Sequence, residues 1–203
     1  MNGPAEDRPG YEIERKWLLH RLPDRLVHAE GGEMGAIGER LRIRQGYLPP
    51  ATESDFADFD QAGPDDVPVV GRIRSIEFDG PPPGIRFIHT IKSGSGLVRR
   101  ELERSISITS FEAAWPATLG RRIEKTRWRI SEEGSVWEVD HLQGMSDLGH
   151  ENGGLVLLEV EADDPEQARR LNPPGWLAEV VDREVTDEPA FTNAEIAFRL
   201  GRG

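Results

Sequence analysis

Residues 11–17 read Tyr-Glu-Ile-Glu-Arg-Lys-Trp, so charged side chains alternate with apolar or bulky ones near the N-terminus. Successive side chains of a β-strand point to opposite faces, so Glu12, Glu14 and Lys16 share one face if this segment is a strand. A solvated outer face would explain one such alternation by itself. The stretch decides the fold because the same pattern recurs along the chain.

Strand-like segments downstream repeat this alternation, and the sign of the charge differs from one segment to the next. The basic residues are Arg42 with Arg44, Arg72 with Arg74, and Lys125 with Arg127, joined by Lys92 and Arg99, and the acidic ones are Glu101 with Glu103, Glu138 with Asp140, and Glu159 with Glu161. An antiparallel sheet often exposes its charges to water on one face. Such faces usually mix Lys and Glu, however, whereas segregation by strand indicates opposed walls of one cavity.

The chain is predicted to be mainly β, an α+β fold in which eight strands form a closed antiparallel barrel with a few packing helices. The predicted strands are 10–19, 39–48, 70–79, 86–92, 98–108, 122–131, 135–142 and 154–162. Most links between them contain turn residues, which favours a meander of neighbouring strands. An eight-stranded barrel has room inside for side chains or one small ligand. Charges cannot stay unpaired in a dry interior, so we expect a wet interior that holds a charged ligand.

Three helices are predicted from their N-terminal signals. Thr-x-x-Glu capping boxes at 109–112 and 192–195 would begin a short helix through Trp115 and a C-terminal helix. Asp164 before Pro165 would cap a helix that runs to about Leu171.

The segment from about 49 to 70 differs in composition from its surroundings. It contains six carboxylates and no Lys or Arg, and its prolines and glycines predict that no regular element forms there. We expect a mobile acidic loop inserted in the domain. A calcium site is the sharper alternative, but the acids lack the twelve-residue EF-hand pattern. Such an insertion could control access to the cavity or be inert.

Composition narrows the class of protein. The 203 residues fit one domain, taken here as 10–203 after a flexible N-terminus at 1–9. Cysteine is absent, which excludes disulfides and thiolate sites. No leader sequence or bilayer-length apolar run is found, so a cytoplasmic protein without membrane contact is expected. The net charge of −12 argues against nucleic acid as partner, whereas cations gathered on a few strands favour a small polyanion. A homodimer is left open.

Residues 12–16, Glu-x-Glu-x-Lys, resemble the signature of the triphosphate tunnel metalloenzymes, also called the CYTH superfamily. Further segments match in the order found in bacterial members, the inorganic triphosphatases, namely 45–48, 90–93, 99–103, 124–127, 137–140, 158–161, 184–186 and the Phe-Thr-Asn of 191–193. The resemblance spans about residues 10–200. It implies an eight-stranded antiparallel tunnel that binds a triphosphate together with Mg²⁺ or Mn²⁺.

The resemblance also implies roles for the charged residues. Phosphate oxygens would be bound by Lys16, Arg42, Arg44, Arg72, Arg74, Lys92, Arg99, Lys125 and Arg127. Metal would be held by Glu12, Glu14, Glu159 and Glu161, with Glu101, Glu103, Glu138 and Asp140 completing the acidic lining and the set of metal-binding candidates. Hard oxygen ligands suit Mg²⁺, and arginine forks suit phosphate.

The implied reaction is metal-dependent hydrolysis of inorganic tripolyphosphate to pyrophosphate and phosphate by in-line attack of water. Glu159 and Glu161, through the metal, and Lys16, near the leaving group, are the catalytic candidates. Alternatives on the same fold are an adenylate cyclase, an organic triphosphatase acting on ATP or thiamine triphosphate, and a non-catalytic polyphosphate or nucleotide-binding module.

The tryptophans favour an inorganic substrate, and the histidines are expected to be surface or packing residues rather than metal ligands. Trp17, Trp128 and Trp137 are out of phase with the neighbouring charges, so we expect them to pack outside against helices rather than to stack on a base. The five histidines show no metal-ligand spacing, and His89 and His141 are also out of phase with the charges.

Overall fold

A computed structural model of the chain describes residues 10–27, 38–79, 82–93, 98–143 and 154–202. The described strands are β1 Gly10–Leu19, β2 Glu39–Tyr47, β3 Arg72–Phe78, β4 Gly84–Ser93, β5 Val98–Ser105, β6 Arg122–Glu132, β7 Ser135–Gln143, β8 Gly154–Glu161 and β9 Val181–Glu184. The eight predicted strands all form, with ends within three residues of the prediction. The short β9 was not predicted.

All nine strands belong to one antiparallel sheet with the order β5-β4-β3-β2-β6-β7-β8-β1-β9. The strand β1 has three partners. Its first residues, Gly10–Ile13, pair with β5, residues 14–19 pair with β8, and its last three residues also pair with β9. The mainly β, antiparallel class is therefore confirmed. Closure into a barrel stays a prediction.

The described ranges contain six α-helices. They are α1 Asp24–Val27, α2 Glu53–Gln61, α3 Ile108–Ala114, α4 Pro165–Arg170, α5 Gly175–Ala178 and α6 Asn193–Leu200, with 3₁₀ turns at Trp115–Thr118 and Pro189–Phe191. Within the described ranges, no helix is both long enough and apolar enough to span a bilayer.

Two of the predicted helices begin where the caps indicated, and one does not. The Asp164 carboxylate accepts from the backbone N–H groups of Glu166 and Gln167 at the start of α4, and the Thr192 hydroxyl accepts from that of Glu195 in α6. The cap of α3 is Ser107, whose hydroxyl accepts from the N–H of Ser110 at 3.0 Å. The prediction of a cap at 109 was wrong by two residues because Ser107 offers the same chemistry one half-turn earlier.

The acidic segment contains a helix, so the prediction that no regular element forms there was wrong. The helix α2 begins after Thr52, which makes a capping box with Asp55. Its Phe56 and Phe59 are buried, and this apolar stripe stabilises a helix that the acidic composition disfavours.

The sheet has two faces of different character. On one, which we call the helix-covered face, Trp17, Trp128 and Trp137 pack with Leu26 of α1 and Leu177 of α5, as the alternation predicted for the tryptophans. The opposite face, which we call the charged face, carries the ionic side chains described below. A tight hairpin at Glu133 and Gly134, both with positive φ, joins β6 to β7 and fixes the register of their charges.

Candidate functional site

The centre of the charged face is a buried cluster around Arg127. Its guanidinium donates to both carboxylate oxygens of Asp140 at 2.6 Å, to Glu159 at 2.8 Å and to Glu138. Lys125 donates to the same Asp140 at 2.5 Å. The Asp140 side chain is fully buried, so this carboxylate is held in place by two cations from β6.

A second cluster joins β3, β4 and β5. Arg72 and Lys92 both contact Glu101, each at 3.2 Å. Two residues further along β5 and on the same face, Glu103 accepts from Arg74 and from the hydroxyl of Thr90. Cations and carboxylates from three neighbouring strands therefore interlock on this wall.

Lys16 of β1 lies between carboxylates of its own strand and of β8. Its Nζ is 2.9 Å from Glu159 and 3.4 Å from Glu14. Glu14 in turn stands directly opposite Glu161 in the β1–β8 register. Two like charges at directly opposite positions are unfavourable unless cations lie close to them.

Burial and neighbouring charges shift the ionisation of the cluster. Burial and the charge of Arg127 lower the pKa of Lys125 to about 8, against the opposing effect of Asp140. Burial alone would raise the pKa of Asp140, but Arg127 and Lys125 hold it below its usual value. Lys16 and Arg127 likewise hold the pKa of Glu159 well below its usual range despite burial. Asp140 and Glu159 are therefore ionised at neutral pH.

The charged face gathers most of the predicted site residues. They are Glu14, Lys16, Arg72, Arg74, Lys92, Glu101, Glu103, Lys125, Arg127, Glu138, Asp140, Glu159 and Glu161. The side chains of Glu12 and Arg99 lie outside the described part of the chain, as do His28 and His150.

Arg42 and Arg44 do not join them, which corrects the prediction that they line the same cavity. Their side chains are 57% and 54% exposed, and the Arg44 guanidinium lies 4.9 Å from the ring centre of Trp115 on the helix-covered face. On β2 the buried positions are instead Leu41, Ile43 and Gln45. The strand is turned over relative to the prediction because its apolar residues face the charged side.

Sequence reasoning missed three polar residues of the charged face, Gln45, Tyr47 and Thr90. Gln45 and Thr90 are each 1% exposed, and the Gln45 amide donates to the Tyr47 hydroxyl at 2.5 Å. Burial raises the pKa of Tyr47, although Arg72 and Lys16 act in the opposite direction. The alternation of Gln45 and Tyr47 with Gly46 on β2 could have indicated the first two. The position of Thr90 two residues before Lys92 on β4 could have indicated the third.

The donor set suits a hard divalent cation only in part. In the described ranges, no group of three or more Asp, Glu, His or Cys side chains has the arrangement of a metal site. Glu14 and Glu161 nevertheless offer opposed carboxylates, with Glu159 one strand position away. Oxygen ligands of this kind are those that Mg²⁺ takes, usually one or two at a time with water and phosphate as the other ligands.

Comparisons with known proteins identify relatives along the whole domain. An inorganic triphosphatase from Nitrosomonas europaea is 33% identical over 190 residues, which cover 93% of this chain and 98% of the relative. An inorganic triphosphatase from Acetivibrio thermocellus is 36% identical over 188 residues, covering 92% and 93%. A crystal structure of an inorganic triphosphatase matches with 29% identity, a TM-score of 0.49 and coverage of 92% and 94%.

No protein-family model matches the chain. The alignments with the two sequence relatives nevertheless extend over more than nine-tenths of each protein. The chain therefore belongs to the family of bacterial inorganic triphosphatases, as its resemblance to the triphosphate tunnel metalloenzymes predicted.

Proposed function

We propose that this protein hydrolyses inorganic tripolyphosphate to pyrophosphate and phosphate on the charged face of its sheet. The observation that carries the proposal is the interlocked set of cations and carboxylates on that face, which includes Lys16, Arg72, Arg74 and Lys92. Cations of this density suit a small polyanion, and the curated relatives are named inorganic triphosphatases.

The sheet would enclose this site as a closed eight-stranded tunnel. Support comes from the ladder between β1 and β5, the two strands that would otherwise end the eight-strand series, with Gly10 opposite Glu101 and Ile13 opposite Val98. A triphosphate bound in such an enclosure would displace water, which strengthens each contact between the cations and phosphate oxygens.

Apolar side chains on both sides of the charged cluster favour an inorganic substrate over an organic one. One apolar group, Leu41, Ile43 and Ile76, is packed tightly on β2 and β3. The other contains Leu157 and Ile196, which brings α6 against the sheet. These packed groups limit the length of the charged surface between them. A short charged surface suits a bare triphosphate better than a nucleotide.

Arg72, Arg74 and Lys92 are the residues that we assign to substrate binding. Their described ion pairs are with Glu101 and Glu103 of β5, and phosphate oxygens could replace these partners. Arg127 is bound by three carboxylates, so its first effect is to orient Glu138, Asp140 and Glu159. This division refines the roles that the sequence implies.

Water would attack the terminal phosphorus in line with the departing pyrophosphate. Lys16, placed between Glu14 and Glu159, would stabilise the negative charge that develops on the leaving group. Glu159 and Glu161 would orient the attacking water, since both are carboxylates on the same side of β8. Mg²⁺ or Mn²⁺, held by Glu12, Glu14, Glu159 and Glu161, would supply charge neutralisation on the triphosphate.

A substrate panel tests the proposal. Purified protein with Mg²⁺ or Mn²⁺ is offered tripolyphosphate, ATP and thiamine triphosphate, and released phosphate and cyclic AMP are both measured. We expect tripolyphosphate to be hydrolysed fastest and chelation of the metal to stop the reaction. Formation of cyclic AMP from ATP would show a cyclase instead, and binding without release of phosphate would show a sensor.

A further inference from the structure

Residues 49–71, which we call the insertion segment, have their two ends joined by backbone hydrogen bonds beside the β2–β3 ladder. The Leu48 N–H donates to the Gly71 carbonyl at 2.6 Å, and the Gly71 N–H donates to that of Pro49 at 2.9 Å. Gly71 has a φ of +75°, and a Cβ there would lie 2.3 Å from the carbonyl oxygen of Thr90 on β4. Glycine is therefore required where the segment ends against a strand of the site.

The helix of the insertion segment packs on the far side of the wall that carries Lys92. Phe56 and Phe59, three residues apart and so on one face of α2, pack with Ile91 of β4 and Leu102 of β5. All four side chains are buried. The helix thus covers the two strands directly behind the second charged cluster.

Polar contacts hold the residues that follow α2 to the same two strands. The Arg104 guanidinium donates to the carbonyl oxygens of Ala62 and Gly63, each at 2.9 Å, and its centre lies 4.6 Å from the ring centre of Phe59. The His89 ring is 5.1 Å from that of Phe59, and its Nε2 is 2.7 Å from the carbonyl oxygen of Val70. The part of the insertion segment that follows α2 is therefore held by side chains of the covered strands.

Along β4 and β5, the residues that contact the insertion segment alternate with the residues of the site. His89 pairs with Arg104, and Ile91 pairs with Leu102, on the helix-covered face. The pairs between them, Thr90 with Glu103 and Lys92 with Glu101, lie on the charged face. Any shift of the backbone under the insertion segment therefore displaces the site residues by a similar amount.

We propose that the insertion segment is a brace that positions Lys92 and Glu103, with Phe59 and Arg104 as the positioning residues of the reaction. This inference rests on the proposed function for its kinetic readout. Displacement of a binding group by about 1 Å can lower a rate on the order of a hundredfold. The brace accordingly acts on turnover without touching substrate, whereas an inert insertion would act on stability alone.

Kinetics of Phe59 variants give the first test. We expect Phe59→Ala to lower kcat for tripolyphosphate about tenfold, and Phe59→Leu to restore most of it because leucine refills the apolar contact. Asp60→Asn, on the exposed side of the same helix, is the matched control and should leave kcat unchanged. A Phe59→Ala enzyme that remains folded by circular dichroism with the kcat of the parent would overturn the proposal.

A double-mutant cycle separates positioning from general loosening. The effect of Phe59→Ala on kcat/KM should shrink several-fold when Lys92 is already replaced by alanine, because the brace then has less to position. The same effect should stay undiminished in a Glu161→Gln background, since Glu161 lies on β8. Equal effects in both backgrounds would show that Phe59→Ala loosens the whole site rather than displacing Lys92, and would overturn the proposal.

Hydrogen exchange gives a readout that needs no activity. Phe59→Ala should speed amide exchange in residues 89–92 and 101–104 while leaving the β6–β7 ladder unchanged. If the parent protein hydrolyses no triphosphate, the proposed function fails, and the brace is then judged by this exchange and by the affinity for tripolyphosphate. If Phe59→Ala changed neither the amide exchange nor the affinity for tripolyphosphate, the brace would be refuted, whether or not the protein is a triphosphatase.

Discussion

Arg127 is the side chain on which the buried charges of the site depend. Its contacts with Glu138, Asp140 and Glu159 leave no carboxylate of that cluster without a cation. Removing one member of a buried ionic group leaves the others uncompensated, at a cost of about 3–5 kcal/mol. We expect Arg127→Ala to lower the free energy of unfolding by about that amount, measured by urea denaturation at pH 7.

Arg42 provides the control for this measurement. It is mostly exposed and its described contact with Asp79 is long, at 3.8 Å. Replacement by alanine should change the free energy of unfolding by no more than about 0.5 kcal/mol. Similar losses for the two variants would contradict the central place given to Arg127.

Lys92 is expected to act on substrate rather than on stability. Its side chain is about a quarter exposed and contacts Glu101 at 3.2 Å. A charge-assisted contact to phosphate contributes about 1.5–3 kcal/mol, so Lys92→Ala should lower kcat/KM for tripolyphosphate roughly 10- to 100-fold. Steady-state kinetics measure this loss. Arg44→Ala is the control, because it removes one positive charge from the opposite face of the sheet. Equal kinetics for the two variants would refute the assignment.

The contrast between Lys92 and Arg44 also shows where sequence reasoning stops at this scale. A period of two tells which residues share a face, but it does not tell which face is covered by helices. On most strands the apolar residues pack under helices, and the charges then lie on the charged face. On β2 the apolar Leu41 and Ile43 pack with Ile76 of β3 on the charged face, so the arginines next to them lie on the helix-covered face.

At the scale of elements, the contact between α2 and β4 depends on a neutral imidazole. Burial, with a contribution from the charge of Arg104, lowers the pKa of His89 from 6.5 to about 4, although its bond to the Val70 carbonyl acts in the opposite direction. The unfolded chain thus binds this proton below about pH 6.5, whereas the folded chain binds it only near pH 4. The folded state is therefore destabilised as pH falls through this window.

We expect this single group to remove at most about 3 kcal/mol of stability between pH 6.5 and 4. Urea unfolding of the parent and of His89→Gln at pH 7, 5.5 and 4.5 measures the difference, because glutamine can donate to the Val70 carbonyl without titrating in this range. The variant should lose less stability on acidification. Parallel pH profiles would show that His89 does not carry the effect.

The helix α2 illustrates what the sequence could have predicted about elements. Its acids and prolines indicate a loop, yet Thr52 and Asp55 form a capping box and Phe56 and Phe59 form an apolar stripe. These local signals were sufficient for a helix. Its docking site was not predictable, because that depends on the apolar pair Ile91 and Leu102, which come together only after β4 and β5 have paired.

For the whole molecule, the two halves of the site are joined through β1. This strand pairs with β8, which carries Glu159 and Glu161, and also with β5, which carries Glu101 and Glu103. If the β1–β5 ladder persists in solution, the charged clusters are opposite walls of one enclosure. If it opens, they are two patches of an open sheet, and a triphosphate could contact only one of them at a time.

Hydrogen exchange distinguishes these two states of the molecule. In a closed tunnel, amides in residues 11–13 and 98–101 should exchange about as slowly as those of residues 14–19, which pair with β8 and serve as an internal reference. Tripolyphosphate with Mg²⁺ should slow them further, because a ligand bound by both walls stabilises only the closed form. Exchange at the rate of an unpaired strand, unchanged by ligand, would mean that the sheet is open. The substrate would then have to bind to one wall alone, and the proposed cooperation of Lys16 on β1 with Lys92 on β4 would fail with it.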